Sequence, residues 1–176
     1  MMMLMRSCLA HAWRSWYIYL ALIVIWFIAV MRVLVDPTPW LPILFNITPS
    51  LPYHFVIVDY AANELRRGDY IVYAFEGAAV RQFPGMRRQP LFKRIAGVAG
   101  DVVSVTERHV YVNGLNVGYA KTHTMTRLPL APIGPTVIPR DHFYVAGQSP
   151  DSFDSRYAIS GLVARRQILG RVKPLW

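Results

Sequence analysis

The sequence is poor in cysteine. Its one cysteine, Cys8, lies close to the N-terminus, so the rest of the chain offers neither a thiol nucleophile nor a disulfide partner. The five histidines show no paired spacing of the kind that binds zinc. These absences argue against thiol chemistry and metal chemistry, and we expect neither a metal nor a cofactor.

Acidic residues are also scarce. There are 10 of them against 19 lysines and arginines, which gives a formal net charge of +9. Such a charge favours anionic lipid headgroups or nucleic acid. We interpret it as a solvated basic surface beside a membrane. Because the N-terminus carries an apolar segment instead of a DNA-binding helical domain, we expect membrane lipids as a partner and no nucleic acid.

One long apolar run lies near the N-terminus. Residues 16–31 contain no charge, and the run continues past Arg32 to Val35. About 20 helical residues cross a bilayer core of roughly 30 Å, so residues 16–35 are predicted to form one transmembrane anchor. A cleaved signal peptide is the alternative, but the run exceeds the usual length of about 7 to 15 residues and no clear cleavage site follows it. Basic residues before the run favour a cytoplasmic N-terminal segment, residues 1–15.

The remainder divides into a linker and one domain. Three prolines break any helix that continues out of the membrane, so residues 36–44 are predicted to be a proline-rich linker. Residues 45–176 then read as one periplasmic, mainly β, antiparallel domain. The predicted strands, which are rich in β-branched and aromatic residues, are 54–59, 70–75, 91–98, 102–106, 109–112 and 142–146. Asn113-Gly114 fits a type I′ hairpin turn. Residues 61–66 are compatible with one or two helical turns.

Ser50 is the first candidate for chemistry. It follows Pro49 and precedes a predicted strand, so its hydroxyl is expected on a constrained, non-helical turn. A serine needs a base to become a nucleophile. Strand alternation puts Lys93 on one face with Leu91 and Ile95. If that face is buried, the pKa of Lys93 falls and its neutral amine can act as a base near pH 7 to 8. The alternative is an exposed lysine on an edge strand.

A polar segment, residues 147–157 (GQSPDSFDSRY), is the third candidate. Asp154 and Arg156 are spaced to form an ion pair that fixes a loop, although a surface turn rich in serine and aspartate looks similar. A conventional triad of Ser50, His54 and Asp59 is a further alternative. On a strand, however, nothing holds His54 near the Ser50 hydroxyl.

These three pieces carry a resemblance to a known family. Ser50 followed by Leu-Pro, Lys93 within FKRIAGVAGD, and Gly147 followed by SFDSR resemble, in this order, the conserved boxes of the type I signal peptidase family, peptidase family S26. Within the family the chain is more similar to the conjugative-transfer, TraF-type peptidases. Its TPSLP box has one residue fewer between serine and proline than housekeeping enzymes, and residues 102–146 lack their large insertion.

The resemblance implies a signal-peptidase-like β domain in which Ser50 is the nucleophile and Lys93 the general base. The backbone N–H of Ser50 and the Thr48 hydroxyl would form the oxyanion hole. The residues that it assigns to support of the site are Ser152, which orients the lysine, and Asp154 and Arg156, which brace the loop. Two features depart from the housekeeping pattern. Gln148-Ser149 replaces Asp-Asn in a segment one residue shorter, and Tyr157 is followed by AISG.

The resemblance also implies a function. It describes a single-pass serine endopeptidase of the inner (cytoplasmic) membrane that removes a signal or propeptide from an exported protein. For the conjugative branch the substrate would be a pilin precursor, and the product would be either linear or cyclised. A different class of protein is the alternative, namely a non-catalytic, membrane-tethered assembly factor of a conjugation or secretion apparatus.

Overall fold

The computed structural model describes residues 13–34, 37–39, 41–46, 48–62 and 64–175. The chain divides into two compact units, Met1–Pro37 and Thr38–Trp176. Cys8, most of the predicted N-terminal segment and two linker positions lie outside the described residues.

The first unit contains one helix, α1 (Trp16–Leu34), whose end differs from the predicted one by a single residue. None of its side chains is buried, and its length and its mean hydropathy of 2.3 are sufficient for a membrane span. Arg32 lies in its last turn, where a long basic side chain can reach the interface.

The described part of the second unit contains eleven strands, and every pair is antiparallel. The strands are β1 (Ile43–Phe45), β2 (Phe55–Asp59), β3 (Tyr70–Ala74), β4 (Pro90–Gly97), β5 (Val102–Thr106), β6 (His109–Val112), β7 (Leu115–Tyr119), β8 (Thr136–Val137), β9 (His142–Ala146), β10 (Val163–Ala164) and β11 (Ile168–Pro174). Short 3-10 helices cover Ala78–Arg81, Pro84–Met86 and Arg165–Gln167. The prediction of a mainly β, antiparallel fold with one N-terminal apolar helix is confirmed.

The strands form two sheets. The large sheet has the order β1-β2-β11-β3-β4-β9-β10, and the small sheet has the order β7-β6-β5-β8. All six predicted strands are present, with small differences at their ends. Strand β1 begins at Ile43, inside the segment predicted as a linker, and pairs with β2. Residues 61–66, as far as they are described, form no helix.

The predicted hairpin turn joins β6 to β7. Asn113 and Gly114 have φ angles of 48° and 78°, as a type I′ turn requires. The Asn113 side chain also accepts a hydrogen bond from the N–H of Val102 (2.8 Å) and donates one to Asp101 (2.8 Å). The turn is therefore fixed to the start of β5.

Three apolar clusters make up the core of the described domain. One joins the two sheets and includes Val103 of the small sheet and Tyr144 of the large sheet, and a second, around Ile71, lies on the large sheet. A third, around Val172, also lies on the large sheet. Phe153 and Ile159 pack against the first two clusters. The polar segment that contains Phe153 is thus held where the two clusters approach each other, which positions the site described next.

Candidate active site

Ser50 lies in a turn between β1 and β2 that is closed by one asparagine. The side-chain amide of Asn46 donates hydrogen bonds to the carbonyls of Leu51 (3.2 Å) and Tyr53 (2.9 Å). Its Oδ1 accepts hydrogen bonds from the N–H (3.1 Å) and the hydroxyl (2.7 Å) of Thr48. Asparagine commonly closes turns in this way. Sequence analysis did not single out Asn46, although its place four residues before Ser50 was a usable signal.

The serine turn is bound to the polar segment through its backbone. The Ser50 carbonyl accepts hydrogen bonds from the N–H groups of Gln148 (2.8 Å) and Ser149 (3.4 Å). Gly147 permits this approach. A Cβ at that position would lie 2.9 Å from the Ser50 carbonyl oxygen and 2.7 Å from the Ser152 Cβ, both too close. The segment therefore needs glycine here for a steric reason.

Lys93 is buried in the middle of β4. As the alternation predicts, Lys93 and Ile95 are buried whereas Arg94 is exposed. Only 3% of Lys93 is accessible to solvent. The pKa of Lys93 is lowered to about 8, chiefly by burial; the Asp154 carboxylate raises it and the smaller effect of the Arg156 charge lowers it. A substantial fraction of the amine is thus neutral near pH 8.

Asp154 and Arg156 form a buried, two-point ion pair that holds the polar segment. Arg156 donates from Nε to Oδ1 and from Nη2 to Oδ2 of Asp154, both at 2.8 Å. Asp154 also accepts a hydrogen bond from the N–H of Gly147 (2.8 Å), and Arg156 donates to the carbonyls of Ser149 (3.0 Å) and Ser152 (3.2 Å). Burial alone would lower the pKa of Arg156, but its hydrogen bonds and the Asp154 charge raise it. The pair braces both ends of the loop.

Three buried hydroxyls near this brace have no hydrogen-bond partner among the described residues. They belong to Ser152, Tyr73 and Tyr144. Burial raises the pKa of both tyrosines, and the negative charge of Asp154 raises it further. A buried hydroxyl without a partner costs about 1 to 3 kcal/mol. The site therefore contains unused hydrogen-bonding capacity beside a buried carboxylate. The two tyrosines were not predicted, because in sequence they look like ordinary strand residues.

The predicted site residues lie around the polar segment, but not all of them are joined by hydrogen bonds. The Ser50 carbonyl accepts hydrogen bonds from Gln148 and Ser149, and the charges of Asp154 and Arg156 act on the pKa of Lys93. Within the described residues, however, neither the Ser50 hydroxyl nor the Lys93 amine makes a hydrogen bond. Catalytic hydrogen bonds are often long in a free enzyme and shorten when substrate binds. The Thr48 hydroxyl is exposed and points to Asn46.

An open groove of about 490 Å³ borders the serine turn. Its walls are formed by Thr48, Pro49, Leu51, Pro52, His54, Gln148 and Ser149. The groove is therefore walled by the serine turn on one side and by the start of the polar segment on the other. Within the described residues no group of three histidines, cysteines or carboxylates is placed to hold a metal ion.

The alternative triad is not assembled. His54 lines the groove, but no hydrogen bond joins it to Ser50 within the described part of the chain. Asp59 lies at the far end of β2, about 16 Å along the strand from His54. There it accepts a hydrogen bond from the N–H of Ala61 (3.1 Å) and pairs with Arg171 at 3.7 Å. Asp59 is therefore unavailable to orient His54.

Comparisons with known proteins identify the family of the chain. The family described as "Signal peptidase, peptidase S26" matches residues 13–176. Signal peptidase I of Leptolyngbya laminosa is 34% identical over 128 residues, which cover 71% of this chain and 56% of that protein. The probable signal peptidase I-2 of Synechocystis sp. is 31% identical over 118 residues, which cover 65% of this chain and 49% of that protein. The chain thus spans about half the length of these relatives.

The crystal structure of a signal peptidase I from Enterococcus faecalis aligns with a TM-score of 0.38 at 20% sequence identity, over 63% of this chain and 98% of that one.

Proposed function

Because the chain belongs to the signal peptidase family, peptidase S26, we propose that it is a membrane-anchored serine endopeptidase with Ser50 as nucleophile and Lys93 as general base. One observation carries the proposal. Lys93 is buried, its pKa is lowered to about 8 chiefly by that burial, and the ion pair beside it braces the segment that binds the Ser50 turn.

The reaction proceeds by acyl transfer. The neutral amine of Lys93 takes the proton from the Ser50 hydroxyl, whose oxygen attacks the carbonyl carbon of the scissile peptide bond. The backbone N–H of Ser50 donates to the oxyanion that forms. Lys93 then gives its proton to the leaving nitrogen, which leaves an ester on Ser50. Lys93 next deprotonates the incoming acceptor, which releases the acyl group and restores the Ser50 hydroxyl.

Thr48 and Ser152 complete the proposed site. The Thr48 hydroxyl donates to Asn46 in the free protein, and rotation about its χ1 bond would let it donate to the oxyanion instead. Ser152 has a buried hydroxyl without a partner, which would orient the amine of Lys93 when the site closes on substrate. Asp154 and Arg156 act as a brace and touch no reacting atom.

The proposed substrate is an exported protein whose signal or propeptide is removed. Within that class we favour a conjugative pilin precursor, because the short TPSLP box and the compact stretch 102–146 resemble the TraF-type branch. The acceptor is either water, which gives a linear product, or the amino terminus of the substrate, which gives a cyclic one.

The proposed location is the inner membrane, with α1 as a single span and the β domain in the periplasm. The exposed apolar surface of α1 supports the anchor. On the domain, Ile43 pairs with Ile57 and Phe45 with Phe55, and all four side chains are exposed. Such an apolar face is costly in water, so we propose that it contacts membrane lipids. Labelling of cysteines introduced at Ile43 and Ile57 should fall when detergent micelles are replaced by vesicles.

The absence of a hydrogen bond between Ser50 and Lys93 is also what a non-catalytic assembly factor would show. The deciding experiment is processing of a co-expressed candidate prepilin by the wild type, Ser50→Ala and Lys93→Ala, with product masses read by mass spectrometry. Ser104→Ala and Lys173→Ala, both at exposed strand positions, are matched controls.

We expect the two controls to process the prepilin and the two site variants to fail. A product lighter than the linear peptide by one water identifies cyclisation. Continued processing by both site variants would overturn the proposed dyad and favour the assembly factor.

A further inference from the structure

A second cavity, of about 310 Å³, shares Gln148 as a wall residue with the groove. It is lined by Arg67, Arg94, Ile95, Ala96, Val112, Leu115, Asn116, Val117, Ala146, Gly147 and Gln148. We propose that this cavity is a subsite for a carboxylate of the peptide substrate and that Arg94 is the residue that binds it. The inference rests on the proposed function, since it concerns the substrate of the same site.

The cavity is adjacent to the serine turn. Gly147 and Gln148 form part of its wall, and the N–H of Gln148 donates to the Ser50 carbonyl at 2.8 Å. Gln148 also lines the groove on the Ser50 side. A peptide that runs from the groove across Gln148 would therefore place a side chain or its terminus in the cavity.

Two arginines give the cavity its charge, but they are not equivalent. Arg67 binds both carboxylate oxygens of Asp101 at 2.6 Å. Burial raises the pKa of Asp101, but hydrogen bonds from Val98, Asn113 and Arg67 lower it below its usual value, so this carboxylate stays ionised and neutralises Arg67.

Arg94 has no such partner. Its side chain is on the exposed face of β4 and donates one long hydrogen bond, of 3.3 Å, to the carbonyl of Gly68. Among the described residues no carboxylate pairs with it. A guanidinium prefers a carboxylate that it can bind through two parallel hydrogen bonds, and most of the donors of Arg94 are free to do so.

Gln148 adds a second reason. Gln148 follows Gly147 and lines the cavity with an uncharged side chain. Glutamine provides an amide donor without adding a negative charge, so the cavity keeps the positive charge of Arg94. An aspartate at that position would instead compete with an anionic ligand. The apolar wall formed by Leu115, Val117 and Ala146 suits the methylene groups of an acidic side chain.

The carboxylate has two possible sources, an aspartate or glutamate side chain near the scissile bond and the C-terminus of a short leaving peptide. Binding of four alanine-rich peptides by the full chain, with Ser50→Ala to prevent turnover, separates them. The peptides carry either glutamate or glutamine, and either a free C-terminus or an amide. Isothermal titration calorimetry in detergent micelles gives the affinities.

We expect about a fivefold preference for the charged member of one pair, because a partly exposed ion pair contributes up to about 1 kcal/mol. Glutamate over glutamine identifies the side chain, and carboxylate over amide identifies the terminus. Arg94→Gln should abolish the preference and Arg94→Lys should retain part of it. Gln148→Asp should also abolish it, while Arg140→Gln, at an exposed arginine outside the cavity, is the control.

Equal binding within both pairs, or a preference that survives Arg94→Gln, overturns the subsite. The readout does not depend on cleavage, so it is separate from the proposed function. A preference that depends on Arg94 in a chain whose Ser50 proves dispensable would retain the subsite and refute the peptidase.

Discussion

Lys93 and Asp154 are close enough for the carboxylate to raise the pKa of the amine, yet burial outweighs this attraction and the pKa of Lys93 stays lowered, at about 8. The carboxylate is occupied by Arg156, which meets it through two hydrogen bonds and whose own charge acts on Lys93 in the opposite sense. The ion pair thus braces the loop without fixing a proton on the neighbouring lysine.

The first prediction concerns pH. Because the base must be neutral, kcat/KM should rise with pH through an apparent pKa of about 8. Asp154→Asn removes a charge that raises this pKa, so the rising limb should move to lower pH even if the maximal rate falls. Asp59→Asn, at an exposed strand end, should leave the limb in place. A limb that moves to higher pH in Asp154→Asn would contradict the assignment of Lys93 as the base.

The second prediction concerns stability. The folded-state pKa of Lys93 is below its unfolded value of 10.5, so folding disfavours the charged amine. This penalty is fully present below pH 8 and disappears as pH rises toward 10.5. It amounts to about 3 kcal/mol at neutral pH, at 1.36 kcal/mol per pK unit.

Lys93→Met should therefore raise the thermal unfolding midpoint at pH 7 and abolish cleavage. It should also remove the gain in stability that the wild type shows as pH rises from 8 toward 10.5. Lys173→Met, at an exposed site in β11, should change neither property. Circular dichroism melts in detergent between pH 6 and 10 measure both effects. A Lys93→Met protein that melts at a lower temperature than the wild type at pH 7 would show that burial of the charged amine does not destabilise the fold.

Strands with a clear local signal could be predicted from sequence, such as β4, whose residues alternate, and β9, which is a short apolar and aromatic run. Strands β8 and β10 have two residues each, which is too short for a periodic signal. Strand β11 lies inside the large sheet because it pairs with β2 and β3, and its residue Val172 pairs with Tyr70, more than 95 positions earlier in the chain. Local sequence patterns do not indicate such distant partners.

Some features of the candidate site could likewise be predicted from sequence and others could not. Alternation placed Lys93 on one face with Ile95 but left open whether that face is buried, and the spacing of Asp154 and Arg156 suggested their ion pair. The resemblance alone joined Ser50 to them. The unpaired hydroxyls of Tyr73 and Tyr144 were beyond sequence reasoning, because their significance depends on a buried carboxylate contributed by a different segment.

The third prediction tests the contact between the serine turn and the polar segment. Gly147→Ala adds a methyl group against the Ser50 carbonyl and Ser152, so it should push the turn away from the segment. We expect a loss of stability of about 1 to 3 kcal/mol and a fall in kcat/KM of about 100-fold. Gly134→Ala is the control, because a methyl group there meets no atom within 4 Å. Wild-type activity in Gly147→Ala would show that the contact is dispensable.

The last prediction concerns Asn46, whose side chain makes four hydrogen bonds within the serine turn. Asn46→Ala removes all of them, and the nucleophile loses its fixed position, so kcat/KM should fall by roughly 100-fold while the core and the melting temperature change little. Asn46→Asp keeps the acceptor for Thr48 but loses the donor to Leu51 and Tyr53, and its activity should therefore be intermediate. Comparison of kcat/KM with circular dichroism melts separates the two effects, because a merely structural role would lower both in proportion. Equal activity of Asn46→Ala and the wild type would mean that the prolines alone hold Ser50 in place.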